Sequence, residues 1–139
     1  MRKAAEDNDR IKLISATTDE GIISNFYNSI DLLLHYRIEG ETFGMNIAEA
    51  MIHGKPVVSH LSHVDNAQAE LLAATTQHGT VGYVAPQNDQ ETYLKYITDL
   101  MDDPAKLTAI GSNAKHRAQE LFQEDIVTRY LENEYLKLL

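Results

Sequence analysis

Apolar residues fall along this chain in two rhythms: short clustered runs, and stripes spaced by three and four residues. Ile11 to Ser15 (IKLIS) is short and partly β-branched and predicts a strand, with SATTDE after it supplying turn and capping residues. Asp19 or Thr18 can cap the helix that carries Ile22, Ile23, Phe26, Tyr27 and Ile30. Leu32 to Tyr36 (LLLHY) is an apolar run of strand length, suited to burial on both faces of a parallel sheet. A helix is then predicted from about Gly44 to His53, with Gly54 as its left-handed C-terminal residue. Pro56 to Ser59 (PVVS) predicts a third buried strand, Val64 to Ala74 a helix, and Val81 to Ala85 (VGYVA) a short fourth strand. The last third is helical. Leu94, Ile97 and Met101 share one face, and Asp103-Pro104 is an N-cap followed by proline at the first helical position. Leu107, Ile110, Ala114, Ala118 and Leu121 continue a stripe, and Ile126, Val127, Tyr130, Leu131 and Leu138 define a final amphipathic helix.

Strands alternating with helices through short loops predict an α/β fold: a three-layer, Rossmann-like parallel sheet of about four strands, with flanking helices and a helical C-terminus. In such sheets ligands bind beyond the carboxyl ends of the strands, so residues just after strands deserve inspection. The 139 residues suffice for one domain, and 43% hydrophobic with 24% charged residues is the balance of a globular protein. The formal charge of −9 is spread along the chain without any basic block, which argues against a nucleic-acid partner. The absence of cysteine excludes disulfides and thiolate metal sites and permits a reducing compartment. No apolar run is long enough to span a membrane. Residues 1–10 are polar, lack a signal-peptide core, and are expected to be disordered or to mark a truncation boundary.

The chemistry concentrates in EGETFGMNIAEAMIHGKPVV, which sets Glu41 in the loop after LLLHY and Glu49 inside the next helix. The start of that helix offers unpaired N–H groups and a positive dipole end, suited to a phosphate, and Gly44 lets the backbone approach closely. Glu49, within reach of a group beside that phosphate, has two acceptor oxygens that match a ribose diol, while Glu41 can accept from hydroxyls on the far side. Two acids can thus bracket a nucleotide-sugar. The plainer alternative is a solvated helix start carrying ordinary surface acids.

The stretch ETFGMNIAEAMIHGKPVVS resembles the donor-site signature of retaining glycosyltransferases with two Rossmann-like domains (the GT-B type, group 1, family 4-like). The match lies at Glu41, Thr42, Phe43, Gly44, Met45, Glu49, Ala50, Gly54, Pro56, Val57 and Val58. SATTDEGIISNFYNSIDLLLHY is similar to that family's base-binding loop, helix and following strand, and LFQEDIVTRYLENEYLKLL to its closing helices. The resemblance implies that Glu49 holds the ribose hydroxyls and that Glu41 touches the transferred sugar near the reacting carbon, as the candidate catalytic residue. It further implies that amides from Thr42 to Met45 (Thr42, Phe43, Gly44, Met45) face the sugar and distal phosphate, and that Ala16 and Thr17 lie against the base. Transfer would retain anomeric configuration. No cofactor and no metal are expected, because helix dipoles and basic side chains stabilise the leaving diphosphate. The donor would be a UDP-, GDP- or ADP-sugar and the acceptor a polysaccharide, a lipid or a small molecule.

Three features depart from the family pattern. Arg37-Ile38-Glu39-Gly40 stands where a Pro-Ser pair is usual, and HLSHVDNAQAELL where glycines and a Pro-Glu are common. The family's donor half also normally begins with two more strand–helix units holding a phosphate-clamping Arg and Lys, and follows an acceptor-binding domain. The chain is therefore expected to be the C-terminal, donor-binding piece of a cytoplasmic glycosyltransferase, inactive alone, whose full-length form is compatible with peripheral membrane association. Arg37 reads equally as a surface charge or as a partial substitute for the phosphate clamp. His60 and His63 have a spacing that suggests metal but lack a third ligand. Asp102-Asp103 is better read as a cap than as a metal-binding pair. Two other functions fit the same fold: a non-catalytic nucleotide- or phosphosugar-binding module, and a non-hydrolysing sugar-nucleotide epimerase. An acid beside the reacting carbon speaks against the first, and the GKPVV exit against the second.

Overall fold

A computed structural model describes residues 8–72 and 77–137. Residues 1–7, the end of the predicted Val64–Ala74 helix and Leu138 lie outside them. Three parallel strands form the central sheet in the order β1 (Leu33–Leu34), β3 (Val57–His60), β5 (Tyr83–Ala85). A second, two-stranded parallel sheet pairs β2 (Gly40–Glu41) with β4 (Asp65–Asn66). The helices are α1 (Glu20–Ser29), α2 (Met45–Ile52), α3 (Ala67–Leu72), α4 (Gln90–Met101), α5 (Pro104–Phe122) and α6 (Glu124–Leu136).

Strand alternation makes the three layers. Val57, paired with Leu33, faces one core together with Tyr27, Ile47, Ala50, Met51, Leu71, Leu72, Ala114 and Ala118. Val58, paired with Tyr83, faces a second core with Leu100 and Ile110, closed by Tyr93, Tyr96, Ile97 and Leu107. All four residues of β3 are buried, as the PVVS run predicts.

Local signals set the helix ends. The Asp19 carboxylate accepts from the Ile22 amide, and Asp103 accepts from the Lys106 amide ahead of Pro104. Gly44 (φ +83°) precedes α2 and Gly54 (φ +69°) follows it, both left-handed.

Four expectations fail. Ile11–Ser15 forms no strand: it bonds to no ladder, and Ile11, Leu13 and Ile14 are exposed. A short extended segment with no partner strand gains no hydrogen bonds to hold it. The sheet therefore has three of the four predicted strands. LLLHY is not buried on both faces, because β1 lies at the sheet edge and Leu34 is 51% exposed. Leu94 and Met101 point to solvent, while Ile97 alone of that stripe reaches the core. The helix predicted from Val64 begins at Ala67, since Asp65 and Asn66 are taken by pairing with β2.

Candidate functional site

The loops after β1 and β3 meet at the carboxyl end of the sheet, and a few buried polar groups fasten them together. Gly40, left-handed, packs so closely on the Asp65 carbonyl that no side chain fits there. Gln68, fully buried on α3, donates to the His60 carbonyl (3.0 Å) and accepts from the Glu41 amide (3.2 Å). The Ser62 hydroxyl reaches the Asp65 carbonyl at 2.7 Å. These contacts fix the main chain of Glu41.

The Glu41 carboxylate is held on both oxygens. Buried His35 donates from Nε2 to Oε1 at 3.0 Å, and its Nδ1 lies 2.8 Å from the hydroxyl of buried Ser59. Arg37, whose side chain is 57% exposed, donates to Oε2 at 3.2 Å. Burial pushes the carboxyl pKa up, but the hydrogen bonds and charges of His35 and Arg37 outweigh it, and the net direction is below the usual glutamate value.

Glu49, in the second turn of α2, accepts from the Tyr27 hydroxyl at 2.8 Å. Burial, that hydrogen bond and the carboxylate's charge all raise the tyrosine pKa. The His53 ring stacks on Tyr27 (5.4 Å between centroids) and contacts Ser24 through Nε2 (3.1 Å). Glu49 and Tyr27 line a groove of about 400 Å³ with Ile14, Thr17, Ile22, Ile23 and Phe26. Its walls are mainly apolar and Glu49 adds a carboxylate to them, a lining that can take a flat heterocycle joined to a diol.

Of the other expected residues, Thr17 lines the groove, and Ala16 is exposed beside it without lining it. Gly44 caps α2 with no side-chain hydrogen bond, and in the first turn the Ile47 amide donates to Asn46 Oδ1 (2.9 Å) and to the Gly44 carbonyl (3.0 Å). Thr42 and Met45 are exposed, and the Phe43 ring leans on Phe122 (5.7 Å), away from the groove. Arg37 points at Glu41.

His60 is committed within the protein: its Nδ1 contacts the Leu61 carbonyl (2.8 Å) and its Nε2 accepts from the Arg37 amide (3.1 Å). Among the described residues no group of three or more metal-ligating His, Asp or Glu side chains occurs. Asp102 ends α4, and Asp103 caps α5.

Sequence reasoning missed His35, Tyr27, Ser59 and Gln68 as parts of this site. His35 and Ser59 sit inside apolar strand runs and Tyr27 inside an apolar helical stripe, so pattern alone reads them as core. A polar residue in a run otherwise fit for burial was the available signal.

The family model for glycosyl transferases, group 1, matches residues 1–117. The chain is 33% identical over 91 residues to D-inositol 3-phosphate glycosyltransferase 1 of Catenulispora acidiphila, covering 66% of this chain and 20% of that protein. It is 31% identical over 142 residues to the trehalose synthase of Thermococcus litoralis, covering 100% of this chain and 31% of that one. A crystal structure of Anabaena HepE in complex with UDP superposes with a TM-score of 0.71 at 31% identity, covering 99% of this chain and 34% of that one. HepE in complex with UDP-glucose superposes with a TM-score of 0.66 at 32% identity, covering 95% and 33%. The chain thus spans about a third or less of the length of these relatives.

Proposed function

For a chain that belongs to the group 1 glycosyltransferases, we propose that it forms the donor-binding part of a retaining enzyme, which moves a hexose from a nucleotide diphosphate to an acceptor. The observation that carries this reading is the Glu49 groove. Ile14, Ile22, Ile23 and Phe26 provide apolar walls for a base, and Thr17 stands at the same wall. Glu49, steadied by Tyr27, accepts from the ribose hydroxyls. Ala16 and Thr17 flank the base. The amides from Thr42 to Met45, at the positive end of α2, face the sugar and the distal phosphate. Glu41 accepts from the hydroxyls of the transferred sugar and is the candidate catalytic residue.

In this reading the diphosphate leaves without a metal, stabilised by the helix dipole and basic side chains, Arg37 among those within reach. HepE, a similar protein, is crystallised with UDP and UDP-glucose, which supports a nucleotide-sugar as donor. Because the relatives are about three times as long, acceptor binding is assigned to a further domain of the whole enzyme, and transfer at Glu41 needs that domain, so the chain is inactive alone. The whole enzyme is cytoplasmic in this proposal, with room for a peripheral membrane contact through the acceptor-binding domain.

Saturation-transfer NMR with UDP, GDP and ADP, free and glucose-linked, tests the reading beside Glu49→Ala. Binding of one nucleotide that weakens in the variant is the expected result. Binding indifferent to Glu49, or silence from wild type and from an extended chain alike, overturns it.

A further inference from the structure

Two groups hold the Glu41 carboxylate, and they differ in kind. We propose that His35 is the positioning residue for Glu41, committing Oε1 to the protein and leaving Oε2 as the oxygen that receives the donor sugar. The inference rests on the reading of Glu41 as the sugar-binding acid and adds to it a residue and a division of labour between two oxygens.

Burial makes the first distinction. His35 is 5% exposed, so its 3.0 Å bond to Oε1 is sheltered from exchange with water. The Arg37 side chain is 57% exposed, and its contact to Oε2 is one that solvent or a ligand hydroxyl can replace. Anchoring makes the second. The His35 ring is gripped on its other nitrogen by Ser59, fully buried in the central strand, and the Tyr93 hydroxyl contacts the His35 carbonyl at 3.3 Å. A carboxylate only accepts, so Nε2 carries a proton; a serine hydroxyl both donates and accepts, so it suits Nδ1 in either state of the ring. The Ser59–His35–Glu41 line therefore fixes the ring through both nitrogens.

Flexibility supplies the need. Glu41 sits on a two-residue strand before a bend. Gln68 holds its main chain and His35 its head. A carboxylate pinned at both places meets the sugar in one pose, and a binding or catalytic group needs that preorganisation to about half an ångström.

The test compares UDP, GDP and ADP with their glucose-linked forms by titration calorimetry. The ratio of dissociation constants, nucleotide over nucleotide-sugar, isolates what the sugar adds. His35→Leu is expected to cut that ratio by about 10- to 100-fold, the worth of a hydrogen bond to a charged group, with affinity for the free nucleotide unchanged. His35→Gln, whose amide nitrogen can stand where Nε2 stood, is expected to recover most of it. His35→Asn keeps a donor near Ser59 but not near Glu41 and must show the same loss as leucine, so the test survives if the leucine variant fails to fold. Equal weakening of nucleotide and nucleotide-sugar would mean a structural role only and would overturn the proposal. An unchanged ratio overturns it too, while the proposed function stands if Glu49→Ala still weakens the nucleotide. Absence of binding by every protein, and by the extended chain as well, overturns both.

Discussion

Gly111 sets two physical effects against each other. It lies in the middle of α5 and is buried against the end of α2. Helix propensity favours Gly111→Ala by about 1 kcal/mol. Packing opposes it. A Cβ at this position would clash with the Gly54 carbonyl oxygen, and would stand 3.1 Å from the Gly54 carbonyl carbon and 3.2 Å from Pro56 Cδ. These are main-chain and ring atoms, which cannot rotate away as a flexible side chain would. The two helices would have to part by roughly 1 Å to restore ordinary contact. That would open the core where Ala114 and Ala118 meet Ala50 and Met51. Overpacking costs about 1–3 kcal/mol, and a rigid obstacle puts this site at the upper end. The net is a loss of about 2 kcal/mol, or a fall in Tm of about 6–8 °C for a chain of this size. Calorimetric melting checks it, with Ser112→Ala as the control, an exposed neighbour on the same helix where propensity acts alone. The reasoning is refuted if Gly111→Ala melts at or above the wild-type temperature.

Three further outcomes follow from the site. Gln68→Ala leaves the Glu41 amide and the His60 carbonyl without their partner; urea unfolding should show at least about 2 kcal/mol of lost stability. Tyr27→Phe removes the 2.8 Å bond to Glu49; water reaches the freed carboxylate, so the stability loss should be only about 1 kcal/mol and nucleotide affinity should fall about fivefold, both measurable by calorimetry. The Glu41 pKa is lowered in the folded state. Its contribution to stability is therefore complete above the ordinary glutamate pKa of about 4.3 and is lost as pH falls through the lower native value. Glucose-dependent affinity measured downward from pH 7 should stay flat through the ordinary glutamate range, and a midpoint above it would contradict the His35 and Arg37 contacts.

How far the sequence could be read depended on whether each element is decided locally. The PVVS strand is buried on both faces, so four apolar or small residues in a row announce it. Asp19, Asp103-Pro104 and Gly54 act within one turn of where they stand, and all three hold their predicted places. Elements decided by distant partners were not legible. IKLIS has the composition of a strand but no neighbour to pair with. Leu34, Leu94 and Met101 have the spacing of core residues, yet no layer covers them. Asp65 and Asn66 leave a helical pattern to pair with Gly40 and Glu41, a contact that sequence spacing does not record.

The same division explains the site. The spacing of Glu41 and Glu49 is legible because one helix and its preceding loop set it. What orients each carboxylate is not, because the orienting groups come from elsewhere: Tyr27 from α1, His35 from the end of β1, Ser59 from β3 and Gln68 from α3. Each is a polar group in a buried place, where it would cost several kcal/mol if left unpaired. Folding the core therefore pairs these groups and aims the acids in one step. The Gly111–Gly54 contact belongs to this argument as well, since it seats α2, the helix that carries Glu49. Gly111→Ala should then lower nucleotide affinity along with Tm, whereas a helix that only flanked the site would lose stability alone.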